Sequence, residues 1–228
     1  FDAARALRIF PALIVCALTV AFVIGPIATT LPLQAYCTDK STLGFVMRTI
    51  SVSTGAATLP GVFGGNPNPD VVVEPVWTLK YEIACYLLLA AIACSRRLNT
   101  TVRFTLLIAA SWIAAIALLL AHSNQAAGPA EHLARFWLCF SFGAVLYRLR
   151  LRVPVSIGIV IALSIAWAIA WRGPLEAIVS PLATGYGAVW AASLPVGGIR
   201  QLTNEIDLSY GIYLFAYPAE QTLLWAWP

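Results

Sequence analysis

The sequence predicts an all-α protein, a polytopic transmembrane helix bundle of about seven spans with one long loop, and three observations predict it. Hydrophobic residues make up 60% of the chain and charged residues only 11%, whereas about a quarter of a soluble domain is charged. Apolar stretches of roughly 20 residues, enough to cross a bilayer, recur along the chain. Basic residues sit singly or in threes at the ends of these stretches, where membrane topology places them. A length of 228 residues holds about seven such spans and leaves no room for a separate soluble domain, so residues 1–228 read as one transmembrane domain with the lipid bilayer as its partner. The net charge of +4 is spread over span ends and is no nucleic-acid footprint.

The first span is predicted over Ile9–Thr30, with Gly25-Pro26 as a kink or early end. Arg5 and Arg8 flank its start on one helical face and fit either a topology anchor or a functional pair. A loop of about 45 residues to Glu74 follows, long enough to be functional or partly structured. Its middle, Leu43–Leu59, is mildly apolar and suits an amphipathic interfacial helix. Prolines and glycines recur between Pro60 and Pro75 and exclude regular structure there.

The second span starts where they stop. Pro75 suits the first helical position, and Trp77 and Tyr81 sit where amphipathic aromatics anchor a span at the lipid-water boundary. Further spans are predicted over Val102–Ala121, His132–Leu146, Val153–Trp171, Leu175–Leu194 and Ile206–Trp227. With Arg5 and Arg8 inside, alternation puts about nine of the 14 Lys and Arg on that side, and the long loop with Asp39, Asp70 and Glu74 opposite.

Glu82 is the first candidate for function. A carboxylate on a lipid-embedded helix costs a few kcal/mol unless it is partnered, protonated or turned into a polar cavity. Tyr86, four residues on, projects from the same face and can serve the same site. A tie between two helices is the other role open to Glu82. The last predicted helix carries Asp207, Ser209, Tyr210, Tyr213, Tyr217, Glu220 and Gln221, more polarity than a lipid-facing span tolerates. There Asp207 reads as a helix cap, and Glu220 as a second candidate for a polar cavity.

Five cysteines, four of them within or at the edge of apolar spans, give no disulfide framework and no metal-ligand spacing. His122 and His132 fall at span ends and read as wetted polar residues rather than general bases. No metal site is expected.

Three blocks resemble one family. Pro60-Gly61-Val62-Phe63, Asn66-Pro67 and above all Trp77-Thr78-Leu79-x-x-Glu82-x-x-x-Tyr86 look like the signature region of the integral-membrane acyltransferase 3 family. Arg5-x-x-Arg8-Ile9-Phe10-Pro11 is similar to its Arg-x-x-Arg helix start, and Asp207-Leu208-Ser209-Tyr210-Gly211-Ile212-Tyr213 to its late helix. The blocks stand in family order. Val73-Glu74-Pro75 departs from the polar Asn-Gly-Ser that often precedes the family tryptophan.

The resemblance implies an O-acyltransferase of the bacterial inner membrane, carrying an acyl group, acetyl above all, from acyl-CoA (acetyl-CoA) to an envelope saccharide. The long loop would then be periplasmic. It implies that Arg5 and Arg8 hold the donor's phosphates, that Glu82 supports the base, and that Trp77, Tyr86 and Glu220 contact substrate. It also implies that the catalytic histidine lies on a helix upstream of Phe1, so the chain is expected to be a piece of about seven spans lacking N- and C-terminal helices, and inactive alone. A membrane transporter or permease and an inactive remnant are the alternatives.

Overall fold

The computed structural model describes residues 2–52, 58–95, 100–122, 126–194 and 209–227. Among the described residues the protein is all-helical, with no strand and two isolated bridges, Thr29 to Val62 and Thr58 to Val71. Three helical stretches are long and apolar enough to cross a membrane: Ile9–Ala28, Glu74–Cys94 and Thr101–Ala121. The chain packs as two compact units, one of Phe1–Lys80 with Gly197–Pro228 and the other of Tyr81–Val196.

In the first unit, α1 (Asp2–Thr19) widens into a π-turn over Val20–Ile24 and closes as α2 (Gly25–Ala28). The bend has an identifiable cause. Gly25 N–H skips back five residues to Val20 O, and Pro26 has no N–H to offer. The Ala21 carbonyl is left without a helical donor, and the Tyr36 hydroxyl supplies one at 2.8 Å. Gly25 is what lets Tyr36 approach, because a Cβ there would stand 1.9 Å from its hydroxyl oxygen.

Tyr36 comes from α3 (Leu33–Thr38), which is followed directly by α4 (Lys40–Ser51). The long loop is thus helical over much of its first half. The expected interfacial helix at Leu43–Leu59 lies further N-terminal than its apolar pattern indicates, because Asp39 caps it by accepting from Ser41 N at 2.6 Å, and Val52 ends it in the left-handed region at φ 59.

The Pro/Gly segment that follows is held by its own backbone. Leu59 N–H donates to Asp70 O at 2.9 Å, Asp70 N–H to Val62 O at 3.0 Å, and the Asp70 carboxylate accepts from Gly61 N at 2.8 Å. Gly61 has φ 68, and a Cβ on it would lie 2.8 Å from the Thr30 hydroxyl. Leu59, Val62, Phe63, Val72, Val73 and Val76 are buried, so the segment has an apolar underside. Pro75 does not start an α-helix as expected. It lies in a 3-10 turn, Glu74–Thr78, and α5 (Leu79–Cys94) begins only after it.

In the second unit, α6 (Thr101–Ala121) and α7 (Pro129–Arg148) run antiparallel. Two reciprocal bonds clasp them: Trp112 Nε1 donates to Ser141 Oγ at 2.7 Å and Trp137 Nε1 to Ser111 Oγ at 2.9 Å. Buried Ala115, Leu119, Ala134 and Leu138 pack between them. The stretches expected as the fifth and sixth spans are helical, as α8 (Ile157–Ala170) and α9 (Glu176–Ser193), but neither is among the three helices long and apolar enough to cross a membrane. The 14 residues of α8 make it shorter than predicted, about 21 Å at 1.5 Å per residue, because Ser156 caps it at Gly158 N and the preceding Pro154 carbonyl is held by Tyr186 Oη at 2.6 Å. The last helix of the first unit is α10 (Ser209–Ala226), with Pro218 in its interior.

Candidate functional site: the Asn/Pro loop seated on the last helix

Within the first unit, two blocks far apart in sequence meet. Asn66 is buried and its Nδ2 donates to both the backbone oxygen of Gln221, at 2.9 Å, and its side-chain Oε1, at 2.8 Å. Asn68 Nδ2 lies 3.4 Å from Tyr217 Oη. Thr78 Oγ1 and Tyr213 Oη share a hydrogen bond at 3.1 Å, and Thr78 also donates to Pro75 O at 2.9 Å. Tyr213, Tyr217 and Gln221 follow each other at intervals of four, which is one stripe of a helix face. Buried amide bonds of this kind fix a loop well, because removing either partner strands the other.

Pro218 leaves the Leu214 carbonyl without its helical donor. The Cys16 thiol of α1 fills the gap at 3.7 Å. In both places the freed carbonyl is therefore satisfied by a side chain from elsewhere in the chain.

The predicted site residues are distributed as follows. Arg5 and Arg8 lie in the first turns of α1, three residues apart and hence on one helix face. Trp77 is half-buried in the 3-10 turn beside Thr78. Glu220 is exposed on α10, and the buried polar side chain is its neighbour Gln221, because one residue turns a helix by about 100°. Glu82 and Tyr86 belong to the second unit, half-buried on α5, and Tyr86 meets Phe140 edge-on with centroids 4.9 Å apart. One turn earlier Tyr81 stacks on Phe136 at 5.6 Å and lies 5.8 Å from the His132 ring. His122, at the α6–α7 connection, pairs with Glu131 at 3.5 Å. Asp207 lies outside the described residues.

Burial pushes the Tyr36 hydroxyl up to about 12, with Cys37 adding to the shift. Tyr36 is thus a neutral donor to Ala21 at any physiological pH. Among the described residues no group of His, Cys, Asp and Glu could hold a metal. The chemistry on offer is amide, phenol and hydroxyl hydrogen bonding around the loop, and carboxylate with aromatic rings on α5.

Sequence reasoning missed Asn66, Thr78 and Gln221 as a set. The stripe 213, 217, 221 was the signal for the α10 half of it. Compared with known proteins, the chain matches no family model, no curated protein and no solved structure.

Proposed function

We propose that the protein is a multi-pass O-acyltransferase of the bacterial inner membrane, acting within a seven-span bundle whose Asn/Pro-rich loop faces the periplasm. The donor is acetyl-CoA and the acceptor an envelope saccharide. The observation that carries the reading is the meeting of two of the three family-like blocks at Thr78 and Tyr213, beside the bond of Asn66 to Gln221 further along the same helix. Blocks that resemble a signature and also pack together have a reason to occur together.

In the reaction, the saccharide hydroxyl oxygen bonds to the thioester carbonyl carbon, the C–S bond breaks, and the hydroxyl proton passes through a base to the departing thiol. Arg5 and Arg8 neutralise donor phosphates, which arginine does well through its planar fork of N–H groups. Glu82 orients the base or a cation. Trp77, Tyr86 and Glu220 position substrate.

The test uses the complete reading frame expressed in cells lacking their own saccharide O-acetylation. Glu82→Gln is expected to lower acetyl transfer at least about 100-fold, the scale of a lost acid-base partner, with unchanged membrane insertion. Transfer at the native rate sinks the role of Glu82. Movement of an unmodified saccharide across the membrane without acetyl transfer by the native chain replaces the enzyme with a permease.

A further inference from the structure

Parts of the long loop reach below the end of the first span. Ala28 ends that span, and Phe63 N–H donates to Ala28 O at 3.3 Å. Tyr36 binds Ala21, seven residues and about 10 Å further in. Cys16, whose thiol meets Leu214, is about 18 Å in from Ala28.

These bonds fix the direction of α10. Asn66 is only three residues from Phe63, folded back by its own N–H to Phe63 O at 2.9 Å, yet it grips Gln221. An antiparallel α10 would carry Gln221 nearly 30 Å from Ala28, counting from the Cys16–Leu214 contact at about 1.5 Å per residue. The two helices are therefore parallel. Gln221 lies about 8 Å inside the level of Ala28, and Tyr213 about 20 Å inside, past the middle of a hydrocarbon core about 30 Å thick.

From Asn66, beside Gln221, the chain returns at Asp70 to Gly61 and Val62, next to Thr29 and Thr30 at the end of the span, and residues 71–73 then descend in non-helical conformation toward the Tyr213 level, where Pro75 and Thr78 are held. Irregular backbone at that depth survives only where protein buries it or water bathes it. The valines of this segment are buried, but Asn68, Glu74 and, on α10, Glu220 are exposed. Exposed carboxylates and amides at that depth need water, not lipid.

We infer that residues 66–75 are a re-entrant wall of a water-filled recess, entering the span from the long-loop side and reaching the Thr78–Tyr213 pair, and that it takes a hydroxyl-bearing ligand of the sugar class. Asn68, Tyr217, Tyr213 and Glu220 offer amide, phenol and carboxylate groups, which pair with sugar hydroxyls. The sugar assignment rests on the proposed function. The recess rests only on the span and the bonds above.

Single cysteines test it in the full-length protein with Cys37, Cys94 and Cys139 replaced by serine, using a charged, membrane-impermeant methanethiosulfonate on intact spheroplasts. Asn68→Cys, Glu220→Cys and Thr78→Cys should react within about tenfold of the exposed loop position Gln34→Cys, and Ile212→Cys, 67% exposed beside Tyr213, at least about 100-fold more slowly, as a lipid-facing site would. Tyr213→Cys carries the deep position if Thr78→Cys does not fold. Reaction at Asn68→Cys with none at either deep position overturns the recess, and so does equal reaction at Ile212→Cys. Oligosaccharide released from the host envelope should slow labelling at Asn68→Cys. Full labelling without that protection keeps the recess and overturns the sugar assignment, whatever the acetyl-transfer assay gives.

Discussion

Gly25→Ala would place a methyl carbon 1.9 Å from the Tyr36 hydroxyl oxygen and 2.7 Å from Cζ. Neither atom can stay. If Tyr36 withdraws, the Ala21 carbonyl is stranded in a buried position, which costs about 1–3 kcal/mol. If the backbone yields instead, overpacking costs about 1–3 kcal/mol. The expected destabilisation is about 1–3 kcal/mol by either route, read as a loss of thermal or denaturant stability in detergent against the native chain. Tyr36→Phe keeps the ring but removes the hydroxyl, and should cost about 1–3 kcal/mol alone. Because that hydroxyl is also the closest clashing atom, the Gly25→Ala, Tyr36→Phe pair should cost less than the sum of the singles, a coupling of at least about 0.5 kcal/mol. A Gly25→Ala protein within about 0.5 kcal/mol of native, the range of an ordinary surface change, would refute the keyed bend.

Three further outcomes are expected. Burial holds the Tyr36 hydroxyl up at about 12 in the folded protein, above its ordinary 10.0. The stability it contributes is full below pH 10 and is lost as pH rises toward 12, so a thermal-unfolding series across that window should fall for native protein and flatten for Tyr36→Phe. Asn66→Ala removes both bonds to Gln221, and should cost about 1–3 kcal/mol and raise the rate at which protease nicks the chain at the exposed residues that flank it, Gly64, Gly65, Pro67 and Asn68. An unchanged nicking rate would show the loop is held by its valines alone. Trp112→Phe and Ser141→Ala should each cost about 1 kcal/mol, with a double-mutant coupling of similar size, as for membrane-embedded hydrogen bonds. Strict additivity would dissolve the clasp between α6 and α7.

How much was legible in the sequence differs by element. Thr101–Ala121 was readable almost to the residue, since an unbroken apolar run between polar ends leaves little choice. The Gly25-Pro26 break was readable as a bend, but not the π-turn before it, which depends on a tyrosine ten residues later. The helix after Asp39 was misplaced because apolar periodicity outweighed the Asp39-x-Ser41 capping signal. Pro75 was assigned to a helix start when it opens a tighter turn, as prolines do in both settings. At the site, polarity alone pointed to the carboxylate Glu220, but the face of α10 that receives the loop is set by the positions at 213, 217 and 221. Partner choice across about 150 residues, Asn66 with Gln221, has no local signature.

The two side-chain keys also impose a timetable on biosynthesis. The Ala21 carbonyl obtains its donor when Tyr36 emerges, within the same early stretch of nascent chain. The Leu214 carbonyl and the Cys16 thiol must wait for each other across 198 positions. The α1 segment therefore holds its thiol in reserve through the insertion of everything between. The Cys16–Leu214 joint locks only once α10 has emerged, and the loop that α10 anchors settles with it.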